Sequence, residues 1–428
     1  MRSRSRLTFV KQTNHRRHPT LPAAEGEVGQ RVGVIRTEHP LLRGEQPVEF
    51  GDRAGESPYP AGPGHQTAVH TGSRERRRPD LRAAHPGAVV SAVKGGLIVV
   101  EELIAHARAA FGWDGAIEVS AGPRGALGQI WRLEIGSARY ALKKIFAEPP
   151  TEASILAELA FARRAAEAGV RVPVSHPDRE GRHLLTAPGG RWLRCYDWAD
   201  LRPVALTAPD TPRQLGELLA RLHRCAPAAV VEPDGGPPDP WYDRVPAAHE
   251  WADVSTSGAS WTTRLADRLR TLPRLCAAVG PADPARLIVC HRDLHPQNVH
   301  VDPAGALVVV DCDELGPAEP GRELARALFD WFCDEASTDL DAVRVMVQSY
   351  LGEGGPGRVT EPADFSMLLA HRLNFLDQAR LALDPRTEHR HREWAEREID
   401  ELLHIMPTPR QLADVLAVTR DCVQAIPH

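Results

Sequence analysis

The stretch from Leu287 to Asp311 constrains the fold more than any other part of the chain. Its sequence, LIVCHRDLHPQNVHVDPAGALVVVD, alternates short apolar runs with polar connections. Apolar runs of strand length, separated by turn residues, predict strands at Leu287–Cys290, Val299–Val301 and Leu307–Val310. The DPAG sequence has the composition of a tight turn, so the last two strands should form an antiparallel hairpin.

Polar side chains stand at the ends of these strands. Asn298 opens the hairpin and Asp311 closes it, so antiparallel pairing should place the two side by side. An amide oxygen and a carboxylate oxygen are hard ligands of the kind that a magnesium ion carrying phosphate oxygens requires. Asp293, five residues before Asn298, can face the same point from the loop and accept a proton. The spacing therefore predicts a magnesium site with a general base beside it.

The loop resembles the catalytic loop of kinases, H-R-D-x-x-x-x-N, which is followed by a metal-binding Asp after the next hairpin. The longer string, HRDLHPQN with VVVDCDELGP and RELA, is similar to the aminoglycoside phosphotransferase and choline/homoserine kinase-like family, which shares the protein-kinase fold. The resemblance covers about residues 116–350 and implies Asp293 as the catalytic base, with Asn298 and Asp311 as metal ligands. Many relatives have Trp at the position of Cys312. Asp313 follows it, which leaves open a metal-binding register two residues later.

A kinase-like fold also requires a phosphate-binding lysine upstream, and YALKK at 140–144 is similar to the kinase V-A-I-K strand. Period-two alternation puts Ala141 and Lys143 on one face of this strand and Lys144 on the other. The small residue beside the adenine and the lysine that reaches the phosphates should share the cleft face, which selects Lys143.

The sequence AGPRGALG at 121–128 lies between two predicted strands. Its glycines, Gly125 and Gly128 among them, would let backbone N–H groups approach phosphates closely. A glycine-bearing hairpin loop without a ligand explains the same residues, so both interpretations stay open.

A helix predicted over 151–169 offers a carboxylate partner for Lys143. Four apolar positions mark its predicted buried face: Ile155, Leu156, Leu159 and Ala166. Glu152 lies in the first turn, where the helix dipole explains an acidic residue. Glu158 lies in mid-helix beside the apolar stripe, and we therefore expect Glu158 to hold Lys143.

Strand patterns and helical patterns occupy separate parts of the chain. Strands are predicted between 117 and 196, whereas helical patterns follow at about 212–222, 322–335, 339–350, 365–383, 388–405 and 410–425. We therefore predict an α+β, bilobal protein-kinase-like fold, with a strand-rich nucleotide-binding lobe at 96–200 and a mainly helical catalytic and substrate-binding lobe at 201–428. The charged sequence EHRHREWAERE at 388–398 predicts a solvated helix face.

Residues 1–95 differ in composition from the rest of the chain. They contain 16 Lys and Arg against 9 Asp and Glu, together with 9 Pro and 11 Gly, and they show no sustained apolar period. Such a segment cannot bury enough apolar surface to order itself, so we predict a disordered basic tail. The basic run at 74–78 would suit nucleic acid, but a solvated tail is the simpler explanation, and we favour it.

Several classes of protein are excluded by composition. No run approaches the ~18 consecutive apolar residues of a membrane helix, and no apolar segment of a secretory signal follows the basic N-terminus. Seven Cys without paired spacing favour a reducing cytoplasm over a disulfide or zinc framework. We expect a cytoplasmic protein with neither a membrane nor a nucleic acid as partner. The sequence does not indicate an oligomeric state.

The resemblance implies a small-molecule kinase that uses Mg²⁺ and transfers the γ-phosphoryl group of ATP or GTP to a hydroxyl of its acceptor. With +7 in residues 1–95, the remainder carries −12 of the net −5, which favours a cationic acceptor such as an aminoglycoside or an amino alcohol. One alternative is a catalytically silent nucleotide-binding regulatory protein, against which the intact Asp293 and Asn298 argue. Another is a protein kinase, although no D-F-G followed by A-P-E is found after Asp311.

Overall fold

A computed structural model describes residues 100–124, 128–146, 148–229, 240–247, 261–335, 337–381, 383–387 and 389–425. The predicted tail at 1–95 and the predicted phosphate-loop residue Gly125 lie outside these ranges. The described residues form two compact units. The sheet unit contains residues within 100–149 and 175–198, and the helical unit contains 150–174 and residues from 199 onward.

The sheet unit is one helix on an antiparallel sheet. The helix α1 occupies 100–111. The strands are β1 (Ile117–Arg124), β2 (Gly128–Ile135), β3 (Ala138–Ile145), β4 (Ser175–His176), β5 (Leu185–Ala187) and β6 (Arg191–Asp197). They pair in the order β1-β2-β3-β6-β4, and β5 also pairs with β6. The strands predicted between 117 and 196 are confirmed, and β1 extends to Arg124, within the sequence 121–128 that was predicted to lie between two strands.

The core of the sheet unit forms where α1 covers one face of the sheet. Leu103 and Ala107, one helical turn apart on α1, are fully buried against Leu133, Leu142 and Leu193. The four-residue spacing of Leu103 and Ala107 places both side chains on the face of α1 that is buried. A tight hairpin turn joins β2 to β3, and it needs a glycine because Gly136 has φ +61°.

The helical unit contains ten helices within its described residues. They are α2 (Glu152–Glu167), α3 (Thr211–Cys225), α4 (Pro240–Asp243), α5 (Thr262–Leu269), α6 (Leu272–Ala277), α7 (Pro320–Phe332), α8 (Leu340–Gly352), α9 (Ser366–Leu381), α10 (His389–Ile405) and α11 (Pro409–Gln424). The bounds of α2, α3 and α7 to α11 lie within a few residues of those predicted, whereas the short helices α4, α5 and α6 were not predicted. Among the residues that the structure describes, no helix is both long and apolar enough to cross a membrane.

The buried face of α2 differs from the prediction. Thr151 caps the helix as expected, its hydroxyl accepting a hydrogen bond from the backbone N–H of Ser154 at 3.1 Å. The buried positions are Ile155, Ala157, Glu158, Phe161 and Ala165. Leu156 is 57% exposed and Ala166 is exposed, so the predicted face was wrong for these two. Alanines occur all around this helix, and the apolar pattern therefore does not single out one side.

Short strands in the helical unit hold the polar loop singled out by the sequence. They are β7 (Arg202–Pro203), β8 (Ile288–Cys290), β9 (Val299–Val301), β10 (Leu307–Val309) and β11 (Gly316–Ala318). The predicted antiparallel hairpin of β9 and β10 is confirmed, with Val299 opposite Val309. Strand β8 pairs with β11, so the chain returns beside its starting strand after the hairpin.

The division into units differs in one respect from the predicted lobe boundary at residue 200. Residues 150–174, which carry α2, cluster with the helical unit rather than with the sheet. Phe161 of α2 contacts the ring of His291 at the start of the polar loop, with ring centroids 6.5 Å apart. Glu158 therefore belongs to the same compact unit as Asp293 and Asn298.

Candidate active site

The polar loop at 291–298 is a compact turn between β8 and β9. The backbone N–H of His295 donates to the carbonyl of Asp293 at 3.0 Å, and that of Asn298 donates to the carbonyl of His295 at 2.9 Å. Arg292 adopts a left-handed conformation with φ +65°, which is uncommon for a residue with a side chain. Such strain persists only where surrounding contacts enforce it, and it is concentrated at functional sites.

Both carboxylate oxygens of Asp293 accept hydrogen bonds. Arg326 Nη2 donates to Oδ1 at 2.5 Å, and Asn298 Nδ2 donates to Oδ2 at 2.9 Å. His295 Nε2 lies 3.4 Å from Oδ2. Burial raises the pKa of Asp293, but the Arg326 guanidinium and His295 outweigh it and hold that pKa well below its usual range. Asp293 is therefore an ionised carboxylate with a fixed orientation.

The amide of Asn298 has only one orientation that its neighbours allow. Its nitrogen faces two acceptors, the backbone carbonyl and the Oδ2 of Asp293, each at 2.9 Å. The amide oxygen must then point away from Asp293, and it accepts no hydrogen bond from the described residues. This oxygen is the atom that a hard metal ion would take from Asn298.

Asp311 follows the paired part of the hairpin directly. The N–H of Val310 donates to the carbonyl of Asn298 at 2.9 Å, so Asn298 is opposite Val310 and one residue from the level of Asp311. Asp311 has φ +59° and ψ +71°, and the chain turns there into a short 3₁₀ helix, Cys312–Glu314. Asp311 and Asp313 are both exposed, whereas Cys312 between them is buried. The hairpin thus brings Asp293, Asn298 and Asp311 to the same end of β9 and β10.

His291 connects the loop to the hairpin through its two ring nitrogens. Nδ1 accepts from the backbone N–H of Asp293 at 3.3 Å, so the proton lies on Nε2, which donates to the carbonyl of Val310 at 3.3 Å. His291 is 1% exposed. It therefore fixes the distance between the segment that carries Asp293 and the segment that carries Asp311.

A buried hydrogen-bond relay holds the backbone of Arg292. Glu323 on α7 accepts from the Arg292 N–H and, at 2.7 Å, from His223 Nε2 on α3. His223 Nδ1 lies 2.7 Å from the Tyr350 hydroxyl, which itself accepts from the N–H of Gly357 at 2.7 Å. With the tyrosine donating its own proton to Nδ1, His223 carries a proton on Nε2, the nitrogen that faces Glu323. We call these side chains, Tyr350, His223 and Glu323, the relay.

The charge state of Glu323 agrees with its role as the hydrogen-bond acceptor of His223. Burial raises the pKa of Glu323, but the hydrogen bond from His223 and the nearby imidazoles outweigh burial and lower that pKa below its usual range, so the carboxylate stays ionised. Cys290 Sγ lies 4.0 Å from His223 Nε2, and burial raises the pKa of this thiol well above its usual range. A 2.7 Å hydrogen bond between His223 and Glu323 leaves no room for a metal ion between them, so the trio is a structural cluster rather than a metal site.

The side chain of Arg292 is held on the opposite side. Its Nε donates to the carbonyl of Glu314 at 2.6 Å, and its guanidinium lies 4.8 Å from the ring centroid of Tyr242 on α4. The Tyr242 hydroxyl in turn donates to the Glu314 carboxylate at 3.2 Å. Glu314, three residues after Asp311, is thereby bonded to Arg292, the residue before Asp293.

Aromatic side chains lie near Asp293 on α4 and α9. His371 Nδ1 accepts from the indole N–H of Trp241 at 3.3 Å, and the His371 ring stacks on Tyr242 and Phe375 at 6.2 Å each. Burial, with Arg326 adding to it, lowers the pKa of His371 to about 3, so this ring is neutral. Its Nε2–H has no hydrogen-bond partner among the described residues, which leaves a donor free in the neighbourhood of Asp293.

Lys143 lies in the sheet unit, on β3. It pairs with Ile130 on one side and Arg194 on the other, whereas its neighbour Leu142 is buried in the core under α1. Lys143 therefore occupies the sheet face opposite that core, as the alternation predicts. Gly128 lies beside it: a Cβ there would come 2.6 Å from the carbonyl oxygen of Lys144 and 3.5 Å from Lys143 Cε.

The predicted residues are thus distributed over both units. Asp293, Asn298 and Asp311 come together at one hairpin, and Glu158 lies in the same unit on α2 with 9% exposure. Lys143 and Gly128 belong to the sheet unit.

Sequence reasoning missed Arg326 as a partner of Asp293. A signal for Arg326 does exist: the segment PGRELARALFDWF is mostly apolar, yet it carries four charged residues, Arg322, Glu323, Arg326 and Asp330. Charges on such a helix must find partners inside the protein. What the spacing cannot show is that one of these partners is Asp293.

Known proteins resemble the chain in family and in fold. The model of the phosphotransferase enzyme family matches residues 118–361, more than half of the chain. The structure is similar to that of a spectinomycin phosphotransferase in complex with ADP and spectinomycin, with 14% identity, coverage of 75% of this chain and 98% of that chain, and a TM-score of 0.50. This likeness confirms the predicted protein-kinase-like fold.

Two further solved structures resemble this one. An amicoumacin kinase in complex with AMP-PNP and Ca²⁺ is 19% identical, over 75% of this chain and 98% of that chain, with a TM-score of 0.49. A microcompartment-associated aminopropanol kinase is 20% identical, over 77% and 98%, also with a TM-score of 0.49. No curated protein sequence matches the chain.

Proposed function

The chain belongs to the phosphotransferase enzyme family, and on that premise we propose that it transfers the γ-phosphoryl group of ATP or GTP to a hydroxyl group of a small, amine-bearing acceptor. The observation that carries the proposal is the geometry at the hairpin end. There, an oriented and ionised Asp293 lies beside an Asn298 amide oxygen that has no partner in the described protein.

Asn298 and Asp311 are the residues that would hold a magnesium ion. The amide oxygen of Asn298 fits this role because its nitrogen is already committed to Asp293, and the carboxylate of Asp311 follows the same hairpin pair. When bound, the ion supplies charge neutralisation to the phosphate oxygens. The left-handed backbone of Asp311 supports the same assignment, since it turns the chain at this residue rather than at Asp313.

Asp293 acts as the base in this proposal. An acceptor hydroxyl gives its proton to the Asp293 carboxylate while its oxygen forms a bond to the γ-phosphorus. The bond between the γ-phosphorus and the oxygen that bridges it to the β-phosphorus breaks, and the nucleoside diphosphate leaves with that oxygen. Positioning and charge neutralisation account for most of the catalysis, because phosphoryl transfer needs little covalent work from the protein.

We assign nucleotide binding to the sheet unit. Lys143 on the face opposite the core would reach the phosphates, and the close approach of Gly128 to the Lys144 carbonyl keeps that part of β2 free of a side chain. Gly125 would contribute backbone N–H groups to the same phosphates. Glu158, buried on α2, would orient Lys143. These four assignments are tested by the nucleotide affinity of the single variants K143M, E158Q, G125V and G128V.

The acceptor would bind on the side of Asp293 that faces α9. A neutral His371 offers an Nε2–H donor there, and Trp241 and Phe375 form half-buried aromatic surface around it. Aromatic faces and nearby carboxylates suit an ammonium group. The excess of 12 negative charges outside residues 1–95 supports the same class of acceptor.

The test is a nucleotide-consumption screen of the full chain. ATP and GTP are each offered with Mg²⁺ and a panel of amino alcohols and aminoglycosides, and products are identified by mass spectrometry as singly phosphorylated acceptors. Neutral sugars and a serine-containing peptide serve as matched controls. Phosphorylation of an amine-bearing alcohol is the expected result. Nucleotide binding without consumption across the whole panel would favour the silent regulatory protein, and phosphorylation of the peptide would favour a protein kinase.

A further inference from the structure

Helix α7 carries charged side chains into the core of the helical unit. Every residue of α7 except Asp330 is buried. The side chain of Arg326 is 6% exposed, as is that of Arg322 one turn earlier. A charge in such surroundings is tolerated only with full pairing, so the partners of each arginine indicate its role.

Arg326 belongs to a row of alternating charges that begins at Asp293. Its Nη2 donates to Asp293 Oδ1 at 2.5 Å, and its Nε donates to Asp330 Oδ2 at 3.3 Å. Arg372 on α9 donates to the other oxygen of Asp330 at 2.8 Å, and its second terminal nitrogen donates to the carbonyl of Ile405 at the end of α10. We call these four side chains, Asp293, Arg326, Asp330 and Arg372, the charge row.

All three nitrogens of the Arg326 guanidinium are occupied. Besides Asp293 and Asp330, it binds the backbone carbonyl of Arg292 through Nη1. One rigid, planar group thus contacts both the carboxylate of Asp293 and the backbone immediately before it. Lysine cannot reproduce this arrangement, because its single nitrogen is a point charge without the planar fork.

We propose that Arg326 is a positioning residue for Asp293, an inference that rests on the proposed role of Asp293 as the base. Arg326 holds Oδ1 and Asn298 holds Oδ2, so the carboxylate plane is fixed from both edges and cannot rotate away from the acceptor hydroxyl. Asp330 and Arg372 fix Arg326 in turn. The charge row thereby ties the orientation of the base to α9, the helix that also carries His371.

The proposal predicts a graded loss of turnover along the charge row. Arg326→Met should lower kcat on the order of 10²-fold, because a small misplacement of a reacting group has effects of that size. Asp330→Asn should lower kcat less, and Arg372→Met less again, since they act through one and two intermediates. The KM for nucleotide should change by no more than about threefold in each variant, because none of these side chains is assigned to the nucleotide.

Arg322→Met is the matched control. Arg322 lies on the same helix with the same exposure, and it pairs with Asp243 at 3.1 Å rather than with Asp293. Its loss should lower the melting temperature without the loss of kcat. A merely structural role for Arg326 would make the two variants equivalent in kcat at matched folded fraction.

Chemical rescue separates positioning from filling of space. Guanidinium at millimolar concentration should restore part of the kcat of Arg326→Ala, whereas urea, which has the same planar shape without the charge, should not. If Arg326→Met or Arg326→Ala does not fold, Arg326→Lys is measured instead. We expect its kcat to lie between those of wild type and Arg326→Met.

Three results would overturn the role of Arg326 in a wild-type protein that turns over: unchanged kcat in Arg326→Met, an equal loss in Arg322→Met, or equal rescue by urea and guanidinium. A wild-type protein that consumes no nucleotide with any acceptor is a different outcome. It would contradict the proposed function, and the positioning role would be rejected with it.

Discussion

The side-chain amide of Asn298 donates from one nitrogen to two oxygens of Asp293, the backbone carbonyl and the carboxylate, each at 2.9 Å. This pair fixes two chemical properties at once. It orients the Asp293 carboxylate, which we propose as the base, and it turns the amide oxygen of Asn298 away from that carboxylate. A single hydrogen-bonded contact thus defines which atom would bind metal and which would accept a proton.

The two acidic residues around Cys312 should behave differently on substitution. Asp311→Ala should weaken magnesium-dependent nucleotide binding far more than binding of nucleotide alone, because only Asp311 continues directly from the Asn298–Val310 pair. Asp313→Ala should change both by little. Calorimetric titration of each variant with ATP, in Mg²⁺ and in a chelator, measures the difference. If Asp313 instead abolishes the magnesium dependence, the ligand register is two residues later than proposed.

Removal of the Tyr350 hydroxyl should destabilise the helical unit. Tyr350→Phe leaves the buried N–H of Gly357 without an acceptor and His223 Nδ1 without a donor, which should cost about 1–3 kcal/mol in the free energy of unfolding. Urea denaturation followed by circular dichroism gives the value. Tyr140→Phe is the control, because the Tyr140 hydroxyl makes no hydrogen bond with the described residues. Equal stabilities of the two variants would argue against the relay.

Glu398 on α10 should make stability depend on pH near neutrality. Burial, together with Glu401, raises the pKa of Glu398 to about 7, so the folded protein holds a proton there that the unfolded chain releases at its ordinary carboxyl pKa. The contribution of Glu398 to stability is therefore fully present below the ordinary carboxyl pKa and is lost as the pH rises through about 7, by roughly 3 kcal/mol in all.

Glu398→Gln should remove this dependence. The variant should melt at a higher temperature than wild type at pH 8 and at about the same temperature at pH 4.5. Glu396→Gln, an exposed position on the same helix, should change neither value. Identical melting curves of wild type and Glu398→Gln at pH 8 would show that this carboxyl is not held protonated by burial.

Local pattern was sufficient for the hairpin and for most helix bounds. The alternation in LVVVD and VHV, with DPAG between them, defines a strand–turn–strand unit that needs no distant partner. Asn298 and Asp311 were predictable for that reason, because their proximity follows from pairing within fourteen residues.

Contacts between distant segments were not predictable in the same way. Arg326 and Asp293 are 33 residues apart, and an arginine on a helix usually reaches solvent. The charged segment at 388–398 was predicted as a solvated face, yet Trp394, Ala395 and Glu398 are buried against neighbouring helices. Tertiary packing determines which charged side chains are buried, and the pattern of a single sequence contains little information about it.

Turnover by Asp293→Asn tests the central claim most directly. The exchange keeps the size of the side chain but removes its ability to accept a proton, and Asp341→Asn, an exposed position on α8, is the matched control. With the acceptor found in the screen, we expect kcat to fall by about 10²–10⁴-fold in Asp293→Asn, with nucleotide affinity retained and with Asp341→Asn equal to wild type. A turnover by Asp293→Asn close to that of the wild-type protein would contradict the assignment of the base and the mechanism built on it.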